Sequence, residues 1–294
     1  MVVPRPLVLV SPFFSVDYDP VKDRLGQFFW TTPTRTKAFY RTLDAVFLRS
    51  WYVRRALRRL LSARAGRPVR VLDAGTGFGQ YAYWLVRTFP VVEVVAVDVK
   101  DDYLDRARSF VARTPYAGRV AFERADLTRP LDYDGAFDLA LSVDVMEHIE
   151  DDRAVFRNVR DVLKPGGHLV VNTPSDRGGS GVGGAGDEGF IGEHVRDGYA
   201  VEDLVEKLES AGLRVTDTEY TYGQVGSAAW RLLVKWPITM LNRSPLLTPL
   251  VGAYYVGAGP VGLALNALDL RRDNDTGTGL LVTAQKPPRP DAAG

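Results

Sequence analysis

The chain has 294 residues, 46% apolar and 25% charged, with a net charge of +1; this suits a globular protein with a large core and excludes a collagen-like or wholly disordered polymer. It has no cysteine, so disulfides, thiolate metal sites and cysteine nucleophiles are absent. Its three histidines, at 148, 168 and 194, form no His-x-x-x-His or His-Glu-x-x-His spacing, and no metal is expected.

Residues 1–10 are apolar but interrupted by Pro4 and Pro6 and lack a basic leader, so a secretory signal is not expected and a cytoplasmic location is. Phe39, Leu43, Val46, Ser50, Val53, Leu57 and Leu60 then recur at steps of three and four, which predicts one helix, stopped by Gly66 and Pro68. Between Arg35 and Arg70 eleven cations accompany one acid, Asp44. A helix face carrying Arg49, Arg54, Arg55, Arg58 and Arg59 would suit phosphate or an anionic membrane, but a solvated face is the ordinary outcome and the expectation here. Phe28, Phe29, Trp30, Phe39 and Tyr40 either cover a ligand from the N-terminal side or pack in the core.

From residue 69 the texture changes. Apolar runs at 69–72, 93–97, 120–122, 137–143 and 168–172 predict strands, separated by helical patterns at 81–89, 103–111 and 154–163. A helix at 201–211, a strand at 213–220 and a last strand at 280–284 follow. Runs apolar on both faces suit parallel strands covered by helices, hence an α/β doubly wound, mainly parallel sheet. Residues 178–189 include seven glycines and predict a mobile loop. Residues 244–268 carry no charge, a length close to a membrane span, yet Pro245, Pro249, Pro260 and several glycines predict two short helices instead. The expected organisation is an N-terminal helical cap (1–66), a ligand-binding α/β domain (67–230), an apolar helical insertion (231–276), the last strand (277–287) and a disordered tail (288–294).

The most informative stretch is Val71-Leu72-Asp73-Ala74-Gly75-Thr76-Gly77-Phe78-Gly79, a strand ending in an acid and turning through three glycines into a helix. Glycines there let the backbone approach a ligand lying over the strand ends. Asp98 ends the next strand, 23 positions beyond Gly75, where an acid can accept hydrogen bonds from both hydroxyls of a ribose. The spacing is G-x-G-x-G, with Gln80 where a dinucleotide site needs its third small residue. An acid at Asp73 would repel a diphosphate but tolerates an adenosyl sulfonium.

Together with Arg124-Ala125-Asp126-Leu127, Phe137-Asp138, Val145-Met146-Glu147-His148 and Leu163-Lys164-Pro165-Gly166-Gly167, this pattern resembles class I (Rossmann-like) S-adenosylmethionine-dependent methyltransferases of the small-molecule and ubiquinone-type branch, over residues 69–173. The resemblance implies a seven-stranded sheet with N-terminal helices and a helical insertion before the last strand, S-adenosyl-L-methionine as cofactor and S-adenosyl-L-homocysteine as product. It implies that Gly75, Thr76, Gly77 and Gly79 carry the methionine part and that Asp98, beside Val99, holds the ribose. Asp126, followed by Leu127, would meet the adenine amino group, and Asp73 would receive the ammonium through backbone or water. Ser142, Val143 and Asp144 end the fourth strand and either face the methionine moiety or cap the following turn.

His194, in Gly192-Glu193-His194-Val195-Arg196, is the candidate general base, with a loop-packing role as its alternative. His148 is the second candidate, with a structural hydrogen bond the more ordinary role. His168, at the start of a strand, is expected to be structural. Arg196 and Tyr199 would hold the acceptor or pair with Glu188 or Glu193. The uncharged insertion suggests an apolar or lipid-like acceptor methylated on oxygen by direct displacement, with peripheral membrane contact as a related expectation and no nucleic-acid partner. The alternatives are an NAD(P)-dependent oxidoreductase, against which the glycine spacing and the missing Tyr-x-x-x-Lys pair argue, and a non-catalytic membrane-docking module on the same fold.

Overall fold

The computed structural model describes residues 32–64, 66–178 and 195–288. Phe28, Phe29 and Trp30, most of the glycine-rich stretch, Glu188, Glu193 and His194, and the last six residues lie outside the described residues.

Two helices precede the sheet, α1 (Pro33–Val46) and α2 (Leu48–Ser62). They replace the single helix expected from periodicity. Thr32 caps α1 through its side chain, and the helix ends where Phe47 turns extended at φ −87° and ψ 110°. Phe47 is buried there with Leu233 and Val234, so a long-range contact overrides a local pattern that would continue the helix.

The alternation that follows is β1 (Val69–Ala74), α3 (Gln80–Thr88), β2 (Val92–Asp98), α4 (Asp101–Val111), β3 (Val120–Arg124), β4 (Phe137–Val143), α5 (Asp152–Val162), β5 (Leu163–Pro174), α6 (Val201–Ser210) and β6 (Arg214–Thr221). Among the described residues the strands form one seven-stranded sheet of order β3-β2-β1-β4-β5-β7-β6, in which β7 (Gly279–Gln285) runs antiparallel to both neighbours. The expected strands lie here within a residue or two, except that β5 begins five residues before the expected 168. Their double-sided apolar character has a direct cause: Val71 and Leu139 enter the core under one face of the sheet, while Leu72 and Ala140 enter the core under the other.

Between β6 and β7 lies the expected helical insertion, with different internal breaks. Helix α7 (Gln224–Trp230) runs through a π-helical turn (Arg231–Lys235) into α8 (Trp236–Arg243), and α9 (Thr248–Asp269) returns beside it. The two short helices expected over 244–268 are one 22-residue helix with Pro260 inside it. Packing supplies the reason. A Cβ on Gly262 would stand 2.4 Å from Leu233, and the Tyr254 and Tyr255 hydroxyls donate to the carbonyls of Leu232 and Leu233 at 2.8 and 2.6 Å. These contacts hold the helix together across residues whose own propensity would break it.

Candidate cofactor and acceptor site

Parallel strands β1, β2, β3 and β4 bring Asp73, Asp98, Asp126 and Asp144 to one edge of the sheet, the carboxyl edge where such sheets bind ligands. The chain leaving β1 crosses toward β2: the amides of Gly75 and Thr76 both donate to the Val97 carbonyl at 2.9 Å. Gly75 has φ +79°, and a Cβ there would meet Val145 at 2.4 Å, so the turn needs glycine for its own packing. Gly77 differs. Its φ is +51°, and a Cβ there would meet nothing within 4 Å. Its side-chain position therefore opens onto free space, and Gly79 closes the turn as the left-handed N-cap of α3.

The Asp98 carboxylate is held in place by backbone amides, Oδ2 accepting from Gly77 at 2.8 Å and Oδ1 from Lys100 at 3.0 Å. Each oxygen keeps a lone pair for a further donor. Val99 beside it is 53% exposed, an apolar surface at the strand end. Asp126 is exposed and preorganised: Oδ1 accepts from the Thr128 hydroxyl at 2.7 Å and its amide at 3.0 Å, and these bonds hold the carboxyl below its usual range. Leu127 points into the core.

Asp73 is buried and accepts from the Thr76 hydroxyl at 2.6 Å. Burial pushes its carboxyl up to about 6, with Asp98 adding and Thr76 opposing. Two carboxylates thus flank the glycine turn. That donor and acceptor set fits an adenosyl ligand with ribose hydroxyls to donate and no phosphates, and it does not fit a diphosphate.

On the other side of the turn Ser142 is buried with its Oγ unpaired among the described residues, and Val143 packs on the core. Asp144 adopts φ +52°, donates its amide to the Asn172 carbonyl at 2.9 Å and pairs with Arg49 of α2 at 2.9 Å. The Arg49 amide donates to the Tyr222 hydroxyl at 3.1 Å, and Tyr222 itself sits at φ +54° just beyond β6. Gln80 donates to Asp44 at 2.6 Å, Ser50 Oγ and Tyr81 Oη share a hydrogen bond at 3.3 Å, and the Tyr40 hydroxyl donates to the Phe78 carbonyl. The N-terminal helices are therefore latched onto the glycine turn. The expected solvated arginine face is corrected in part: Arg49, Arg54 and Arg55 pair with Asp144, Asp44 and Glu219, while Arg58 and Arg59 are exposed.

Glu147 follows in a short 3-10 turn and is 1% exposed. Burial first, then Asp144, push its carboxyl up to about 8, against a Thr173 hydroxyl that donates to it at 3.1 Å. His148 is half-buried in the same turn. His168 pairs with Leu139 and Gln285, away from the carboxyl edge.

Arg196 and Tyr199, expected to hold an acceptor or pair with Glu188 or Glu193, are engaged elsewhere. Tyr199 is 1% exposed and donates to Asp152 at 2.6 Å and to the Met146 carbonyl at 3.1 Å. Arg196 reaches the same Asp152 at 2.8 Å and the carbonyls of Met146 and Glu150 at 2.8 and 3.0 Å, and Lys207 completes the cluster at 3.0 Å. With the Val195 amide on the Glu147 carbonyl at 3.0 Å, these bonds fasten the chain before α6 to the turn after β4. The positions missed by sequence reasoning are Asp44, Tyr81 and Tyr222, and of these only Asp44, a lone acid among cations, carried a signal. A surface cleft of about 220 Å³ between α1 and α4 shares no lining residue with this site.

Residues 71–167, from β1 through the start of β5, match the sequence profile of a family described as a methyltransferase domain. This stretch is a methyltransferase domain. It holds the glycine turn, Asp98, Asp126 and Glu147, whereas Arg49, Tyr222 and the insertion lie outside it. The chain is 35% identical over 112 residues to the ubiquinone/menaquinone biosynthesis C-methyltransferase UbiE of Geobacter sulfurreducens, covering 37% of this chain and 44% of that one. It is 34% identical over 102 residues to the methyltransferase GfsG of Streptomyces halstedii, covering 35% and 36%. The matches thus span less than half the length of these relatives. The crystal structure of Haemonchus contortus phosphoethanolamine N-methyltransferase 2 in complex with S-adenosyl-L-methionine shares the fold, with a TM-score of 0.59 at 21% identity over 90% of this chain and 60% of that one.

Proposed function

We propose that the chain is an S-adenosyl-L-methionine-dependent methyltransferase that methylates an oxygen of an apolar small molecule in the cytoplasm. The observation that carries this reading is the open face in front of Gly77, bordered by the amide-held Asp98 and the exposed Val99. Asp98 would accept from the ribose hydroxyls, Val99 would lie against the adenine, and Asp126 would accept from its amino group. Residues 75–79 would line the methionine chain, with buried Asp73 below it. When bound, the cofactor supplies an activated methyl on a sulfonium.

The protein's task is then alignment and exclusion of water, which is worth roughly 7–11 kcal/mol of barrier where the geometry is good. No strong base is required. If the acceptor hydroxyl does need one, His194 is the proposed group and His148 the alternative, because both follow the strand edge in sequence. The uncharged insertion favours an apolar acceptor. UbiE is by name a C-methyltransferase and the solved structure an N-methyltransferase, so the acceptor panel includes carbon and nitrogen nucleophiles.

Calorimetric titration with S-adenosyl-L-methionine, S-adenosyl-L-homocysteine, NAD and NADP tests the cofactor. Tight binding of the first two alone is expected, and preference for a nicotinamide cofactor would overturn the reading. A panel of apolar and ionic acceptors with a labelled methyl tests the substrate class, and transfer to ionic acceptors alone would refute it.

A further inference from the structure

The insertion between β6 and β7 presents an apolar surface with nothing in the described fold to cover it. Helix α9 is 22 residues long, and only 17% of its most apolar stretch is buried. Leu250, Val256, Val261 and Leu268 are 56%, 80%, 55% and 42% exposed along it, Leu246 just before it is 89% exposed, and Trp236 on α8 is 50% exposed. Isolated apolar side chains on a surface are ordinary, but a whole helix face without a charge is not.

The charges around this face are mainly cationic. From residue 222 to 278 the chain carries Arg231, Lys235, Arg243, Arg271 and Arg272 against three acids, Asp269, Asp273 and Asp275. Asp269 is 0% exposed, accepting from the Tyr52 hydroxyl at 2.7 Å and the Gly226 amide at 2.8 Å, whereas Asp273 and Asp275 are exposed. Seen from solvent, the insertion is apolar along one helix, with five cations against two exposed acids around it: Arg243 precedes the helix, and Arg271 and Arg272 follow it ahead of Asp273 and Asp275.

We infer that α9 is a docking surface for an anionic lipid bilayer, lying along the membrane with its apolar face in the headgroup–acyl boundary and its flanking arginines on anionic headgroups. Helix length alone would allow a span. The helix is instead tied into the fold, because the Asn266 side chain donates to the Val46 carbonyl at 3.3 Å, Asp269 binds Tyr52, and Tyr254 and Tyr255 bind the carbonyls of the preceding helical segment. Crossing a bilayer would break all of these, so in-plane contact is the geometry that keeps the fold. The pattern of apolar face and mainly cationic rim is that of interfacial helices, in which burial and headgroup attraction add. A second copy of the chain fits less well, since an isologous contact would set the same net cationic surrounds against each other.

The inference stands apart from methyl transfer and needs no cofactor. Full-length protein is sedimented with vesicles of phosphatidylcholine alone or with 30% phosphatidylglycerol, and its mass is measured without lipid. Binding at least ten-fold stronger to the anionic vesicles is expected, as is a ten-fold loss in a Val256→Asp/Val261→Asp variant with an unchanged melting temperature, since both side chains are exposed. A Arg271→Glu/Arg272→Glu variant should lose the preference for anionic lipid. Failure of the unaltered chain to sediment with vesicles, or equal binding by the aspartate variant, would overturn the inference, as would a lipid-free dimer that the aspartate variant dissociates.

Discussion

Arg49 of α2 and Asp144, at the end of β4, form an ion pair of 2.9 Å that joins the N-terminal helices to the carboxyl edge of the sheet. The two side chains are 29% and 31% exposed, so the pair itself is worth about 0–1 kcal/mol. Its position matters more than its energy. Asp144 raises Glu147, and Arg49 opposes it, so removing the guanidinium leaves two acids facing each other. Arg49→Ala is expected to lower stability by no more than about 1 kcal/mol while raising the KM for an acceptor several-fold and leaving cofactor affinity near its original value. Thermal melting and steady-state kinetics check this, and an equal loss of cofactor affinity would place the pair on the cofactor side instead.

The three glycines of the turn make separable predictions. Gly75→Ala combines φ +79° with a Cβ 2.4 Å from Val145, so the domain itself is strained and the melting temperature should fall by several degrees. Gly77→Ala meets no protein atom within 4 Å. Its cost is the left-handed backbone alone, about 1–2 kcal/mol, whereas its methyl enters the space assigned to the ligand. Cofactor affinity should therefore fall at least ten-fold in Gly77→Ala, measured by calorimetry beside a melting curve.

Much of this site was readable because its residues act locally. Gly75, Gly77 and Asp98 lie on one strand–turn–helix unit and the neighbouring strand, and the strands announce themselves because Val71 and Leu72 are buried on opposite faces. The side of the site facing the N-terminal helices depends instead on contacts across the chain. Arg49 meets Asp144 and Tyr222, and Arg55 meets Glu219, across 95 to 173 positions, and no periodicity encodes that pairing. Phe47 breaks a helix because Leu233 and Val234 bury it, and α9 runs through Pro260 because Leu233 packs on Gly262. Local propensity was outweighed in both places by packing partners distant in sequence.

The buried acids set the pH dependence of stability. Glu147 goes from an ordinary 4.5 to about 8 on folding and Asp73 from 3.8 to about 6, in each case chiefly through burial. Below their unfolded values both are protonated in either state and the penalty vanishes. As pH rises through the windows 4.5–8 and 3.8–6 the unfolded chain releases protons that the folded chain keeps, so each group lowers stability by up to about 1.4 kcal/mol per pH unit. Above about 8 the contribution of Glu147 levels off. Denaturant unfolding between pH 5 and 8 should show stability falling with pH, and Glu147→Gln should flatten the upper part of that slope. An unchanged slope in Glu147→Gln would assign it to other groups.

Asp152 offers the clearest separation between scaffold and site. It is buried and receives Tyr199, Arg196 and Lys207 at 2.6, 2.8 and 3.0 Å. Replacing it by Ala leaves two cations facing a void, and a loss of about 3–5 kcal/mol is expected. Tyr199→Phe removes one hydroxyl from the cluster and should cost about 1 kcal/mol, with the acceptor KM unchanged. Were Tyr199 instead a contact for the acceptor, the phenylalanine variant would melt as before and lose affinity for substrate. Melting curves and acceptor kinetics on this one variant decide between the two roles, and burial at 1% exposure argues for the first.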